Sequence, residues 1–482
     1  MNRRLLRAEW TKFRSVPAWV RAGAAAALMI LVFPVLGMGG AGGGESTQVP
    51  IGPDGVAVSD GYYFVHRPLS GDGRITVQVA SLTSARAPQA GAVPWAKAGL
   101  IVTAGPDLGS RYAAVMVTGG HGVRMQHDYL HDRAGQPAAA RWLRLTRSGD
   151  TITGEASADG ATWSEIDTVR LPGLPATVRA GLFVACPPRV DGIGTAVDAA
   201  TAEFGEPELS GGWPAETWTG DQIGAHTATF AGYPRGVTGG FAPAGDGFTV
   251  TGAGDLAPAT RGDLPVGAAP SDLLYGTFPA LIVIVVVATL MMTTEYRYQM
   301  IRTTLSAGTG RIRVLAAKAV VIAGVTFATT LAAAAVAVPL WTRLVRGLGI
   351  YVFPAPPGDL LRAEAGTAAL LAVVAVLALA VGTILRRSAT AVTAVVAVTV
   401  LPYFLALIPF MPPPMARWLT EVTPVAALAM QQTLIRYPQV DTIYTPANGY
   451  YPLPPWAGMA VLCGYTTLAL AVAAVLLRRR DA

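Results

Sequence analysis

Charge is what this chain has least of. Of its 482 residues only 14% are Asp, Glu, Lys or Arg, against 52% hydrophobic, and the mean hydropathy is +0.43. That composition excludes an ordinary soluble enzyme. The deficit is gathered into runs with no charged residue: between Arg21 and Glu45, then Leu273–Thr294, Ala319–Thr342, Ala365–Leu385, Ser388–Ala416 and Thr442–Leu477. Each is long enough for a helix to cross about 30 Å of hydrocarbon. Six spans are therefore predicted, at 22–41, 273–294, 319–342, 365–385, 388–411 and 456–477.

Other absences narrow the function. No span carries Asp, Glu, Lys, Arg or His deep in its interior. Proton- and ion-coupled carriers keep such groups there, so energy for any transport must enter elsewhere. Lysine is scarce, at three against thirty-three arginines, which suggests a GC-rich bacterial genome. The three follow Thr11, Ala96 and Ala317, so no Gly-Lys pair exists. A Walker A loop requires one, and the chain is not its own ATPase. Cys186 and Cys463 fall in different regions and imply no disulfide framework. No Ser/His/Asp set or paired carboxylates stand at a meaningful spacing, so no residue is assigned a catalytic role.

The charge that is present is sorted by region. Segments 1–21, 295–318, 386–387 and 478–482 hold sixteen basic and three acidic residues, whereas 45–272 holds fifteen basic and twenty-three acidic. Basic short loops stay cytoplasmic. Both termini and 295–318 are thus expected inside, and 42–272 outside, the bacterial plasma membrane. Residues 1–21 read as a basic amphipathic helix, with Leu6, Trp10 and Phe13 on one face and Arg3, Arg7 and Arg14 on another. That pattern lies in the membrane interface against anionic lipid. A signal peptide is set aside because the basic start is long, contains Glu9 and precedes no A-x-A site.

Glu295–Arg311 is the stretch around which the rest is organised. Tyr298, Ile301 and Leu305 share one face of a short helix, which Ser306-Ala-Gly-Thr-Gly310 ends. The bland reading is a solvated positive-inside loop.

The outer interval has a β texture. Strand-like runs such as Arg74–Val79, Ala98–Val102, Arg111–Val117, Trp142–Thr146, Thr151–Glu155 and Val178–Val184 alternate with Gly- and Asp-rich turns. Many short strands with frequent turns predict a sandwich or barrel. His127 and His131 read as two metal ligands on one strand face or, more simply, as a turn, and no metal site is assigned. Trp95, Trp142 and Trp163 read as core residues before sugar platforms. The fold class is a six-span α-helical membrane protein with an all-β extracytoplasmic domain. Residues 206–270 are left as further strands or a stalk, and 412–455 as an outer loop.

Two resemblances follow. Tyr62-Tyr-Phe-Val65, Gly71–Val77, Trp95–Ile101, Trp142–Asp150 and Ser157–Trp163 resemble concanavalin-A-like (laminin-G-like) jelly rolls over about 60–205. The six spans, Leu6–Ser15, and Glu295-Tyr-Arg297 through Arg302–Leu305 to Arg311 and Lys318 resemble a type-2 ABC exporter permease. Gln299 stands where members often have Gly, and the large outer insertion is not typical. The resemblance implies a separate ABC ATPase in two copies, carrying ATP and Mg, and a second permease copy forming a homodimer. This chain itself would hold no cofactor and bind no nucleic acid. It implies ATPase contact by a coupling helix with Glu295, Arg297, Tyr298, Ile301, Arg302 and Leu305, and a connecting-helix face of Glu9, Trp10 and Lys12. The rival reading is a membrane-anchored sensor whose jelly roll binds a glycan, cell-wall or protein ligand. A surface-acting membrane enzyme is a third class.

Overall fold

The structure, a computed structural model, describes residues 3–34, 49–84, 92–191, 194–224, 234, 236–261, 267–298, 310–408 and 411–479. The chain divides into two units. One comprises Met1–Gly43, Val266–Ile435 and Tyr444–Ala482, and the other Gly44–Pro265 with Arg436–Ile443.

The first unit is helical. Helix α1 (Arg3–Ser15) has neither Pro nor Gly to interrupt it. It stops at Val16, held extended by the ring of Pro17. Pro17 then opens α2 (Pro17–Val32) at a first-turn position, where its missing N–H costs nothing. The two helices meet at 80°. Five helices follow that are long and apolar enough to cross a membrane. They are α3 (Thr277–Arg297, extended N-terminally by a 3-10 turn), α4 (Arg311–Gly347), α5 (Pro357–Leu385), α6 with α7 (Ser388–Thr399 and Leu401–Ala406), and, after α8 (Pro413–Val422), α9 (Pro455–Arg479). The bent α1–α2 pair is a sixth candidate.

The helices overrun the charge-free stretches. Helix α4 has 37 residues and includes Arg311, Arg313 and Lys318, because Lys and Arg are good helix formers and end nothing by themselves. The segment expected to connect spans over 295–318 thus contributes its last eight positions to α4. Residues 299–309, with Ile301, Arg302 and Leu305, lie outside the described residues, as do 35–41 of the first span. Helix α5 gives way to α6 across Arg386 and Arg387, and Arg386 takes the left-handed conformation at the cap.

The expected outer loop 412–455 is a composite. After α8, Pro424–Gln431 forms a 3-10 helix in which every residue is buried. It packs against α9 and α5. Gly458 permits this approach: a Cβ there would stand 2.0 Å from the carbonyl oxygen of Ala426. Gln431 Nε2 donates to Thr277 Oγ1 at 2.9 Å and Thr367 Oγ1 at 3.0 Å. Arg436–Ile443, by contrast, belongs to the β unit. There Gln439 Nε2 donates to the carbonyl of Leu130 at 3.2 Å.

The β unit is a sandwich of two antiparallel sheets. One has seven strands, in the order Thr219–Ile223, Tyr62–Ser70, Thr177–Ala185, Lys97–Thr103, Tyr112–Thr118, Val123–His127, His131–Ala134. The other has eight: Ser164–Arg170, Thr151–Ser157, Trp142–Ser148, Gly73–Ser84, Ala200–Phe204, Gly247–Gly252 and Gly240–Ala244 in order, with Glu208–Gly211 also on Gly73–Ser84. Alternate residues of both inner faces, among them Val65, Leu100, Val115, Val77, Leu143 and Ile152, make one core. Burying each such side chain contributes about 1.5–3 kcal/mol. The seven-stranded sheet is buried on its other face as well, by Tyr62, Phe64, Tyr112, Tyr129, Phe183 and Leu256. The stalk alternative for 206–270 is resolved in part: four strands between 208 and 252 join the two sheets.

Candidate functional site

Four charges from three segments meet inside the helical unit. Glu9 and Lys12 lie three residues apart on α1, so they share a face. Glu295 is in the last turns of α3 and Lys318 in the first turns of α4. Lys318 Nζ donates to Glu9 Oε2 at 2.8 Å and to Glu295 Oε1 at 2.7 Å. Lys12 Nζ donates to the same Oε1 of Glu295. Glu295 Oε2 is buried and has no hydrogen-bond partner among the described residues.

The cluster has two lysines and two glutamates, and three of the four are buried. Lys318 and Glu295 are 0% exposed and Glu9 is 4% exposed, whereas Lys12 is partly exposed. Burial, and next the positive charge of Lys318, pushes the Lys12 ammonium down to about 8. Taking ions out of water costs several kcal/mol each, and removing one partner of a buried pair costs about 3–5 kcal/mol. Four ions held at such a junction therefore fix α1 to the ends of α3 and α4.

Neighbouring contacts tie the remaining helices to the same end. The Arg386 guanidinium between α5 and α6 lies 4.7 Å from the ring centroid of Tyr296 on α3. Arg311 Nη1 at the start of α4 donates to the Leu477 carbonyl, near the end of α9, at 3.0 Å. Phe13 and Trp19 pack under the elbow with ring centroids 6.0 Å apart.

The residues expected on the coupling and connecting helices divide into two sets. Trp10 is 43% exposed and stacked on Phe13, with Arg14 over its ring. Tyr298 is 64% exposed and Arg297 lies 5.8 Å from its ring. Glu295, expected at the ATPase contact, and Glu9, expected on the connecting-helix face, are buried counter-ions of Lys318. A carboxylate among basic helices is drawn to the nearest cation rather than to the surface. Lys12 joins them at the cluster's edge. Lys318 was not singled out as a site residue. Its signal was that Glu9 and Glu295 are, beside Asp481, the only acids among sixteen bases in those segments.

In the β unit His127 and His131 face each other across a hairpin, with rings stacked at 4.3 Å. Asp128 and Tyr129 take positive φ, so the segment is a turn. Among the described residues no three His, Cys, Asp or Glu are grouped to hold a metal. Asp159 accepts from the N–H groups of Ala161 and Thr162, which holds its carboxyl well below the usual range and accounts for it as a turn residue. Trp95 is buried, and Trp163 is covered by Arg144 at 3.6 Å.

No family model matches the chain. No curated protein matches it either. Solved structures are similar to part of it. A functionally unknown protein from Saccharomyces cerevisiae is 17% identical over 36% of this chain and 85% of its own, with a TM-score of 0.22. SCP-B, a member of the eqolisin family of peptidases in complex with a tripeptide, is 8% identical over 42% of this chain and 100% of its own, with a TM-score of 0.24. Overlaps this small bear on neither fold nor function.

Proposed function

We propose that this chain is the membrane subunit of an ATP-driven exporter whose ATPase is a separate protein. The observation that carries the reading is the buried ion cluster. It joins an amphipathic helix that precedes the first span to the ends of the next two long helices. A push on either α1 or the segment after α3 is thereby delivered to both helices. A static anchor has no need of such a joint. In this reading Trp10, Arg297 and Tyr298 lie on the surface offered to the ATPase, and Ile301, Arg302 and Leu305 continue it. Glu9, Lys12 and Glu295 transmit rather than touch. The spans would pass an unidentified substrate across the plasma membrane, with two copies of this chain and two ATPases carrying ATP and Mg.

The test is ATPase co-purification and stimulated ATP hydrolysis, at matched membrane expression. Ile301→Asp places a charge on the proposed docking face, where interface substitutions cost about 2 kcal/mol or more. It should abolish association. Lys318→Met should preserve association yet lower stimulated hydrolysis at least tenfold, because the contact survives and the joint does not. If no ATPase accompanies the wild-type chain, the exporter reading fails. The alternative, a surface-binding protein anchored by its helices, would then stand.

A further inference from the structure

A second polar centre lies at the opposite end of α3 from the ion cluster. Thr277 opens that helix eighteen residues before Glu295, about 27 Å along its axis. The 3-10 segment Pro424–Gln431, between α8 and α9, is wholly buried, and Gln431 is its only polar side chain. The two amide protons of Gln431 go to Thr277 Oγ1 and Thr367 Oγ1 at 2.9 and 3.0 Å. Those hydroxyls donate in turn to the Leu274 and Ala363 carbonyls at 2.6 and 2.7 Å. One side chain thus clasps the segment to α3 and α5.

Three features allow the segment to leave its seat. Eight residues is long for a 3-10 run, whose hydrogen bonds are poorer than those of an α-helix. It rests on glycines rather than on interlocked side chains: a Cβ at Gly366 would stand 2.6 Å from Met430 Cε, and one at Gly458 2.0 Å from the Ala426 carbonyl oxygen. Withdrawing Gln431 orphans neither threonine, since each keeps its own carbonyl, and the freed amide regains partners in water. The residues that follow are anchored instead. The Gln432 carbonyl accepts from Arg362 Nη2, Gln432 Oε1 from the Tyr451 N–H at 2.9 Å, and Thr433 Oγ1 from the Ser271 N–H at 3.2 Å. A segment pivoted at one end, held by one side chain and satisfied both seated and hydrated has two discrete positions.

We propose that Pro424–Gln431 is the exit gate of the exporter: seated, it closes α3, α5 and α9 on one another, and swung out about Gln432 it opens them for the substrate to leave. This rests on the exporter reading. Helix α3 carries the ion cluster at one end and the clasp at the other, so a push on the cluster reaches the gate along one helix.

Thiol labelling of the full-length protein with its co-purified ATPase tests it, in a Cys186→Ala, Cys463→Ser background. Ala427→Cys puts a thiol in the seated segment, at a position that is 0% exposed. A charged methanethiosulfonate should modify it at least tenfold faster with a non-hydrolysable ATP analogue bound than without nucleotide. Gln431→Leu should give the fast rate without nucleotide. Ala317→Cys, equally buried on α4, should stay slow beside Gln431→Leu, because the helices remain packed. Joining Thr367→Cys to Gln431→Cys through a reducible linker should lower stimulated ATP hydrolysis at least tenfold, and reductant should restore it, a reversal that misfolding cannot mimic. One labelling rate with and without the analogue, or undiminished hydrolysis in the linked chain, overturns the gate and leaves the exporter reading standing. So does a slow rate in Gln431→Leu, or fast labelling of Ala317→Cys beside it, which would make Gln431 a packing residue of the whole unit. If no ATPase accompanies the chain, the exporter reading fails and takes the gate with it.

Discussion

The helical unit and the β-sandwich each bury one lysine completely, and each settles its charge in a different way. In the sandwich Lys97 donates to Asp255 Oδ1 at 2.6 Å and to the Leu256 carbonyl at 2.7 Å. Its partners are adjacent residues at the start of the strand Leu256–Pro258, and Asp255 Oδ1 also accepts from the N–H of Leu256. Lys318 instead has two carboxylates from two separate helices. One of them is shared with a second lysine and keeps one oxygen without a hydrogen bond among the described residues. The sandwich pair is closed, with one cation, one anion and a fixed backbone acceptor. The helical cluster is open, because Glu295 can exchange one lysine for the other. A closed pair holds a segment in place; an open one has more than one way to stay neutral, which is what a moving joint needs.

The largest effect should come from opening the closed pair. Lys97→Met leaves Asp255 buried without its cation, a loss of about 3–5 kcal/mol. Removing both charges in Lys97→Met with Asp255→Leu should recover most of it, because no orphan ion remains. The buried thiol of Cys186 reports the change, since it is 0% exposed and burial pushes it up to about 12. In a Cys463→Ser background, thiol labelling along a urea series at pH 7.5 gives the sandwich's unfolding midpoint. If the single variant unfolds with the wild type, Lys97 is not a structural ion.

That contrast between the lysines was only half legible in the sequence. The long apolar helices could be read because hydrocarbon thickness sets a minimum run of uncharged residues. The sandwich could be read because short strands alternate with turns. Ion pairing over 23 and 309 residues of separation leaves no local pattern, and neither does pairing over the 158 residues between Lys97 and Asp255. The buried 3-10 segment Pro424–Gln431 was hidden for another reason. Its proline and its position among tyrosines and prolines look like a loop, and only the facing Gly458 lets it inside. Elements set by their own residues were visible, and those set by distant partners were not.

A smaller effect should appear in the pH dependence of the sandwich. Burial pushes the Asp60 carboxyl from 3.8 up to about 6, opposed by the Gly109 N–H and the Tyr129 hydroxyl. For an acid raised on folding, the stability contribution is full below about 4 and is lost as pH rises through 6, here up to about 3 kcal/mol. His127 acts in the opposite sense. Burial, and next its neighbour His131, pushes it from 6.5 down to about 4. Its contribution is full above about 6.5 and is lost as pH falls to 4. The two slopes offset each other in the wild type. Asp60→Asn should therefore make sandwich stability rise from pH 4 to 6.5, and His127→Gln should make it fall, both followed by urea midpoints from tryptophan emission. Parallel pH curves for all three proteins would refute this account of the two groups.

The smallest effect belongs to Lys12, and it bears directly on whether the helical cluster is open. Lys12 shares Glu295 Oε1 with Lys318, so its loss leaves no carboxylate without a cation. Lys12→Met should change stability by no more than about 1 kcal/mol, in either direction, since a partly solvated charge is screened. Its pH signature is more telling than its size. An ammonium lowered from 10.5 to about 8 contributes most above 10.5, and that contribution is lost as pH falls through 8. Thermal stability of the full chain in detergent should thus gain from Lys12 between pH 8 and 10, and the gain should vanish in Lys12→Met. Lys318→Met inverts the situation. Its positive charge is the second cause of the depression, so without it Lys12 should titrate higher and become the sole cation on Glu295. The Lys12-dependent pH step should then move upward. If the step stays near 8 in Lys318→Met, the two lysines do not compete for Glu295, and the cluster is as closed as the pair in the sandwich.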